Sequence, residues 1–139
     1  MKRSEIREAA FLLVFEKEIR KDDSIEEIIE SAKEADEYDF NKDTVEIFRG
    51  VYDNLAETDE IISRFSDKRQ LSRIHKVSLA VLRIAVYEIN HCDRVPTNVA
   101  ISEAVNITKK FALDAEVQFV NGVLGAYSRS LPKNTEAES

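Results

Sequence analysis

Between Ser72 and Asn90 the chain carries its longest periodic apolar stretch. Ile74, Val77, Val81, Ile84 and Ile89 mark one stripe at helical spacing, and Leu82, Ala85 and Val86 widen it. A helix apolar over so much of its circumference has to be covered on several sides, which puts it at the centre of whatever the chain builds. The polar run Asn90 to Arg94 ends it. Pro96 then forces a boundary, because proline has no N–H to donate and drives the preceding residue out of the helical region. The rest of the chain must supply the cover.

Punctuation also favours helices. With three glycines and two prolines in 139 residues, the chain lacks the turn residues that many short strands need. Ser4 is placed to cap a first helix running to about Ile19, with Ile6, Ala9, Ala10, Leu13 and Phe11 or Val14 on its apolar face. Lys21-Asp22-Asp23 breaks that pattern. Ser24 followed by Glu27 is a capping box, in which each side chain satisfies a backbone N–H at the start of the next helix. Ile25, Ile28, Ile29 and Ala32 carry this second helix to about Ala35. Asn41 or Asp43 caps a third, built on Val45, Phe48, Tyr52 and Leu55, and Thr58 starts a short fourth with Ile61, Ile62 and Phe65 inward. The charged run from Phe65 to Leu71 reads as a joint between two halves, about 4–66 and 71–131.

Past the boundary, Thr97 or Pro96 opens a helix along Val99, Ile101, Ala104, Val105 and Thr108, with Lys109 and Lys110 in its last turn. Asp114 is placed to cap a final helix containing Val117, Val120, Val123, Leu124 and Tyr127, and residues 132–139 form a loose polar tail. Taken alone, Asn121-Gly122 is a hairpin turn signal. Phe119-Val120 and Val123-Leu124 flank it without strand alternation, which favours a helix. In that helix Gly122 and Gly125 share a face and permit close approach of a neighbour. The expected fold is all-α.

An apolar fraction of 43% suits one domain or two closely packed helical halves, and is too high for a disordered chain. No run of about 18 apolar residues exists to span a membrane. Glu5, Arg7 and Glu8 interrupt the place where a signal peptide needs an apolar stretch, and Cys92 has no second cysteine to pair with. A cytoplasmic protein is expected. The net charge of −7 argues against nucleic acid, but eleven of the acids lie between Asp22 and Glu46, against Lys33 and Lys42 alone. Basic residues gather at Lys2, Arg3 and Arg7, and again at Arg64, Lys68, Arg69, Arg73 and Lys76, so an anionic ligand would meet a local patch.

A catalytic centre is harder to assemble. Glu88-Ile89-Asn90-His91 has the Glu-x-x-His spacing of di-iron bundles, but such a site needs a second copy, and Ser72 stands three before His75, the other histidine. One cysteine and two histidines leave a zinc site dependent on carboxylates. Cys92 and His91, as neighbours on a helix, point about 100° apart and do not face one another as nucleophile and base. Neither a phosphate-cradling glycine loop nor a Gly-x-Ser-x-Gly elbow is present. The chain reads as a binding protein and not an enzyme, with no metal and no cofactor. Arg83 and Glu88 sit on the most apolar helix, where an unpaired charge is expensive. Each either has a partner and organises the core, or serves a ligand. The N-terminal cations read as phosphate contacts or as a solvated terminus, and Phe119 beside Gln118 as a base-stacking residue or as core.

Four stretches, in matching order and spacing, resemble the NusB family of transcription antitermination factors. They are Arg7-Glu8-Ala9-Ala10; Leu82-Arg83-Ile84-Ala85-Val86-Tyr87-Glu88; Val95-Pro96 with Val99-Ala100-Ile101-Ser102-Glu103-Ala104-Val105; and Phe119-Val120-Asn121-Gly122-Val123-Leu124. The likeness covers residues 1 to about 131. It implies about seven helices in two packed subdomains. It also implies binding of boxA RNA in ribosomal RNA transcripts together with NusE, a small-subunit ribosomal protein, as part of the RNA polymerase antitermination complex. That complex supports read-through of terminators and maturation of ribosomal RNA.

The resemblance further implies site residues. Lys2, Arg3, Arg7, Phe15, Lys110, Gln118 and Phe119 fall where RNA is contacted, within the basic first helix and the approach to the last one. Arg73 and Ser78 fall near the protein partner, and Arg83, Glu88, Pro96, Glu103, Asn121 and Gly122 are structural. Ser102 replaces the asparagine of the family's Ile-Asn-Glu-Ala motif, and Ser78 stands where some members carry an acid. The alternative is a free-standing interaction scaffold of the same fold that binds no RNA.

Overall fold

The computed structural model describes residues 2–35, 41–67 and 70–132. Among them run seven α-helices: α1 (Arg3–Ile19), α2 (Ile25–Ala35), α3 (Lys42–Asp53), α4 (Leu55–Phe65), α5 (Lys76–His91), α6 (Thr97–Phe111) and α7 (Asp114–Ser130). A single 3-10 turn, Leu71–Arg73, precedes α5. The acids Asp36, Glu37 and Asp39, the bases Lys68 and Arg69 and the tail from 133 onward lie outside the described residues.

The central helix expected from the apolar stretch is α5. Every residue from Val77 to Val86 is buried, and α1, α3, α4, α6 and α7 all pack on it, with α2 laid against α1. Phe11 and Leu13 of α1, Ile28 of α2, Phe48 of α3, Ile62 of α4 and Leu124 of α7 are fully buried in one cluster with Leu82 of α5. A buried side chain of this size stabilises the fold by about 1.5–3 kcal/mol through removal of apolar surface from water.

Local signals set most of the helix ends. The Ser24–Glu27 box forms in both directions: the Glu27 N–H donates to Ser24 Oγ at 3.0 Å, and the Ser24 N–H to Glu27 Oε1 at 2.9 Å. Asn41 caps α3 by accepting from the Asp43 N–H at 2.7 Å. Three starts move. Helix α4 begins at Leu55, ahead of Thr58, because Asn54 closes α3 and opens α4 at once. Helix α5 begins at Lys76 and not Ser72, because His75 is extended and its Nδ1 accepts the Val77 N–H at 3.2 Å. At the last helix, Leu113 occupies the cap position and Asp114 is already helical.

Asn121-Gly122 lies inside α7 with no positive φ, so the helical alternative holds. The close approach expected there does not occur. A Cβ on Gly122 would meet open space, and one on Gly125 only the Arg129 guanidinium. Both Asn121 and Gly122 are exposed, so neither has the structural role expected of it. The glycine that permits helices to meet is Gly50 of α3, where the Tyr87 ring of α5 fills the space a methyl group would need.

Candidate nucleic-acid interface

Two buried arginines determine which cations remain for a ligand. The Arg7 Nε donates to both oxygens of Glu88 at 3.0 Å, and its Nη1 to Glu103 Oε1 at 3.1 Å. Arg7 is 5% exposed, so its expected contact with RNA is corrected: its charge is held inside, tying α1 to α5 and α6. Arg83 donates through Nε and Nη2 to Asp59 at 2.9 and 3.0 Å and through Nη1 to Glu18 at 2.7 Å. Burial works against the Arg83 charge, but hydrogen bonds and attraction from Asp59 and Glu18 outweigh it and raise its pKa. For Glu88 burial wins, pushing the carboxyl above the ordinary range although Arg7 opposes it. Arg83, Glu88 and Glu103 are therefore core-organising charges, each with a partner on another helix. Pro96 is structural too, as the N-cap of α6, where a missing N–H costs nothing.

The accessible candidates collect where α6 turns into α7 over α1. Only Ala112 and Leu113 separate the two helices. Leu113 is 81% exposed and Phe111 38%. The Phe111 ring lies 5.1 Å from Phe11 of α1, and Phe11 stacks on Phe15 at 5.9 Å. Lys110 sits with Nζ 5.5 Å from the Phe111 centroid and bonds both Glu8 oxygens at 2.8 and 2.9 Å. Lys109 is exposed beside it. Aromatic faces flanked by ammonium groups suit nucleobases joined by phosphates, since stacking is tolerant of sequence and the cations answer the backbone.

The other expected contacts divide. Lys2 and Gln118 are exposed, and Phe119 is half-buried against the core. Arg3 is exposed, with Asp43 of α3 at 3.9 Å. Arg73 is exposed in the 3-10 turn. Ser78 is fully buried, and its hydroxyl donates to Glu116 Oε1 at 2.7 Å. Its expected contact with a protein partner is therefore corrected: it fixes the first turn of α7 on α5. Phe111, Leu113 and Glu8 were not singled out from the sequence. An aromatic directly after two lysines at a helix end, followed by a leucine in a two-residue connection, is the signal that marks them.

Elsewhere the chemistry is sparse. His91 Nε2 is 2.9 Å from Glu57, and its ring stacks on Tyr87. Burial pushes the neighbouring Cys92 thiol up, away from the reactive thiolate. A groove of about 500 Å³ between α3 and α5 is lined by Lys42, Arg49, Glu46 and Asp53, charges of both signs. Among the described residues no cluster of His, Cys, Asp and Glu has the arrangement to hold a metal, and no helix is long and apolar enough to cross a membrane.

The same architecture recurs among known proteins. The sequence pattern of the NusB family matches residues 4–129. Transcription antitermination protein NusB of Acetivibrio thermocellus is 40% identical over 129 residues, covering 90% of this chain and 87% of its own length. The protein of that name from Natranaerobius thermophilus is 36% identical, covering 96% and 99%. The solved structure of T. maritima NusB superposes with a TM-score of 0.85 at 31% identity, covering 100% of this chain and 99% of that one. A structure of the antitermination factors NusB and NusE in complex with dsRNA matches with a TM-score of 0.78 at 26% identity, covering 93% and 97%. The chain belongs to the NusB family of non-enzymatic antitermination factors.

Proposed function

We propose that the chain is an antitermination factor that binds boxA RNA in ribosomal RNA transcripts together with NusE. It does so in the cytoplasm, within the RNA polymerase antitermination complex, where it supports processive transcription and ribosomal RNA maturation. The observation that carries this reading is the α6–α7 corner, where Lys109, Lys110, Phe111 and Leu113 stand exposed and the Phe111 ring meets the Phe11–Phe15 stack of α1. Support comes from a relative of the same fold that has been solved with both NusE and dsRNA. On this reading Lys2, Arg3, Lys109 and Lys110 answer phosphates, Phe15, Phe111, Gln118 and Phe119 face bases, and Arg73 lies toward the protein partner.

A mobility shift with a boxA RNA, repeated with added NusE, tests it. Weak binding by the chain alone and much tighter binding with NusE is the expected pattern, with affinity falling as salt rises. RNA binding that is equally weak with and without NusE overturns it. Capture of protein partners that survives nuclease treatment, with no RNA recovered, moves the chain to the scaffold alternative.

A further inference from the structure

Resting on the RNA-binding reading, we infer that Glu8 is an internal competitor for the RNA backbone: it occupies Lys110 in the free protein and must release it when a phosphate arrives. Glu8 lies on α1 and Lys110 in the last turn of α6, 102 residues apart, yet both carboxylate oxygens accept from the one ammonium, at 2.8 and 2.9 Å. The pair lies within the candidate interface, since the same ammonium stands over the Phe111 ring. The Lys110 side chain is 59% exposed and that of Glu8 32%, so either can swing into water without disturbing the core. An approaching phosphate therefore meets a neutralised pair and a nearby carboxylate, not a free cation.

Two further cations of α1 also have acids beside them. Arg7 is held by Glu88 and Glu103, and Arg3 lies near Asp43. Those two differ from Lys110 in kind. Arg7 is locked inside the protein, and the Arg3–Asp43 separation of 3.9 Å is too long for a hydrogen bond. Among the described residues, only the Lys110–Glu8 pair is at once well formed, exposed and beside the aromatic corner. Exchange of one carboxylate for one phosphate is electrostatically near balanced, so Glu8 sets the threshold for binding without abolishing it.

The test is a titration of fluorescently labelled boxA RNA in the presence of NusE across a range of salt concentrations. Four proteins are compared: the wild type, E8Q, E5Q and the K110A/E8Q double variant. E8Q is expected to bind about two- to fivefold tighter at low salt, the range an exposed ion pair spans. Its salt dependence should also steepen by up to about 0.7 in log–log slope, because in the wild type the freed Glu8 takes up a cation that offsets the one released from the phosphate. E5Q removes the same charge from an exposed residue of α1 that has no ion pair among the described residues. It should gain less and leave the slope unchanged. In K110A/E8Q the gain should vanish. A gain in E8Q no larger than in E5Q, or one that survives loss of Lys110, overturns the inference while RNA binding itself stands. No RNA binding by any of the four proteins overturns the functional reading and the inference together.

Discussion

At the scale of single residues, the fold rests on charges whose partners lie far away in sequence. Arg83 is held by Asp59 and Glu18, and truncating it leaves two largely buried carboxylates facing each other without a counter-charge. Arg83→Ala should destabilise the protein by about 3–5 kcal/mol, measured by denaturant unfolding. A loss under about 1 kcal/mol would show that the two acids reach water. Cys92 offers a chemical check at the far end of α5. Burial raises its thiol, so the native protein should react with an aromatic disulfide reagent at pH 8 more slowly than the unfolded chain. The presence of Arg83 and Glu88 on an apolar helix is legible in the sequence, and so is their need for partners. Which partners is not, because separations of 24 to 81 residues are set by tertiary packing alone. Arg7 is misread for a related reason: a cation near a chain start looks solvated until α6 brings Glu103 over it.

At the scale of elements, one glycine matters and another does not. Gly50→Ala pushes a methyl group into the Tyr87 ring and should cost about 1–3 kcal/mol by forcing α3 and α5 apart. Gly122→Ala sits in an exposed helix interior with open space around it and should instead gain up to about 1 kcal/mol. Thermal unfolding of the two variants should therefore shift in opposite directions. A stable Gly50→Ala protein would mean that the Tyr87 ring moves aside at little cost. Helix identity was readable throughout, since each helix carries its own 3.6-residue period. Helix starts were readable where a cap is unambiguous, as at Ser24, and failed where a residue does two jobs. Asn54 ends one helix and begins the next, and His75, not a usual capping residue, replaces a serine three positions earlier. The corner proposed to face RNA was half legible: Lys110 and Phe15 stand out as candidates in the sequence, whereas Phe111 is hidden because an aromatic at a helix end usually packs inward.

For the whole molecule, stability against pH reports two opposed carboxyls. Burial alone would raise Glu18, but Arg83 and Lys21 outweigh it and hold it below its ordinary value of 4.5. Its contribution is complete above that value and is lost as pH falls through the lower folded one. Glu88 is raised, so its contribution has the opposite sense: complete below 4.5 and lost as pH rises through the folded value. The stability gap between wild type and E18Q should narrow on going from pH 7 to pH 3.5, whereas that for E88Q should widen. Urea unfolding at several pH values reads both, and gaps that move together would contradict the assignment.

The central position of α5 has a further consequence during synthesis. The ribosome delivers α1 to α4 first, each with an apolar face, but the helix on which α1, α3 and α4 close comes only afterwards. Until His91 has cleared the exit tunnel, the nascent chain has side walls and no floor. Until then the faces of α1, α3 and α4 that α5 covers in the finished fold stay open to water.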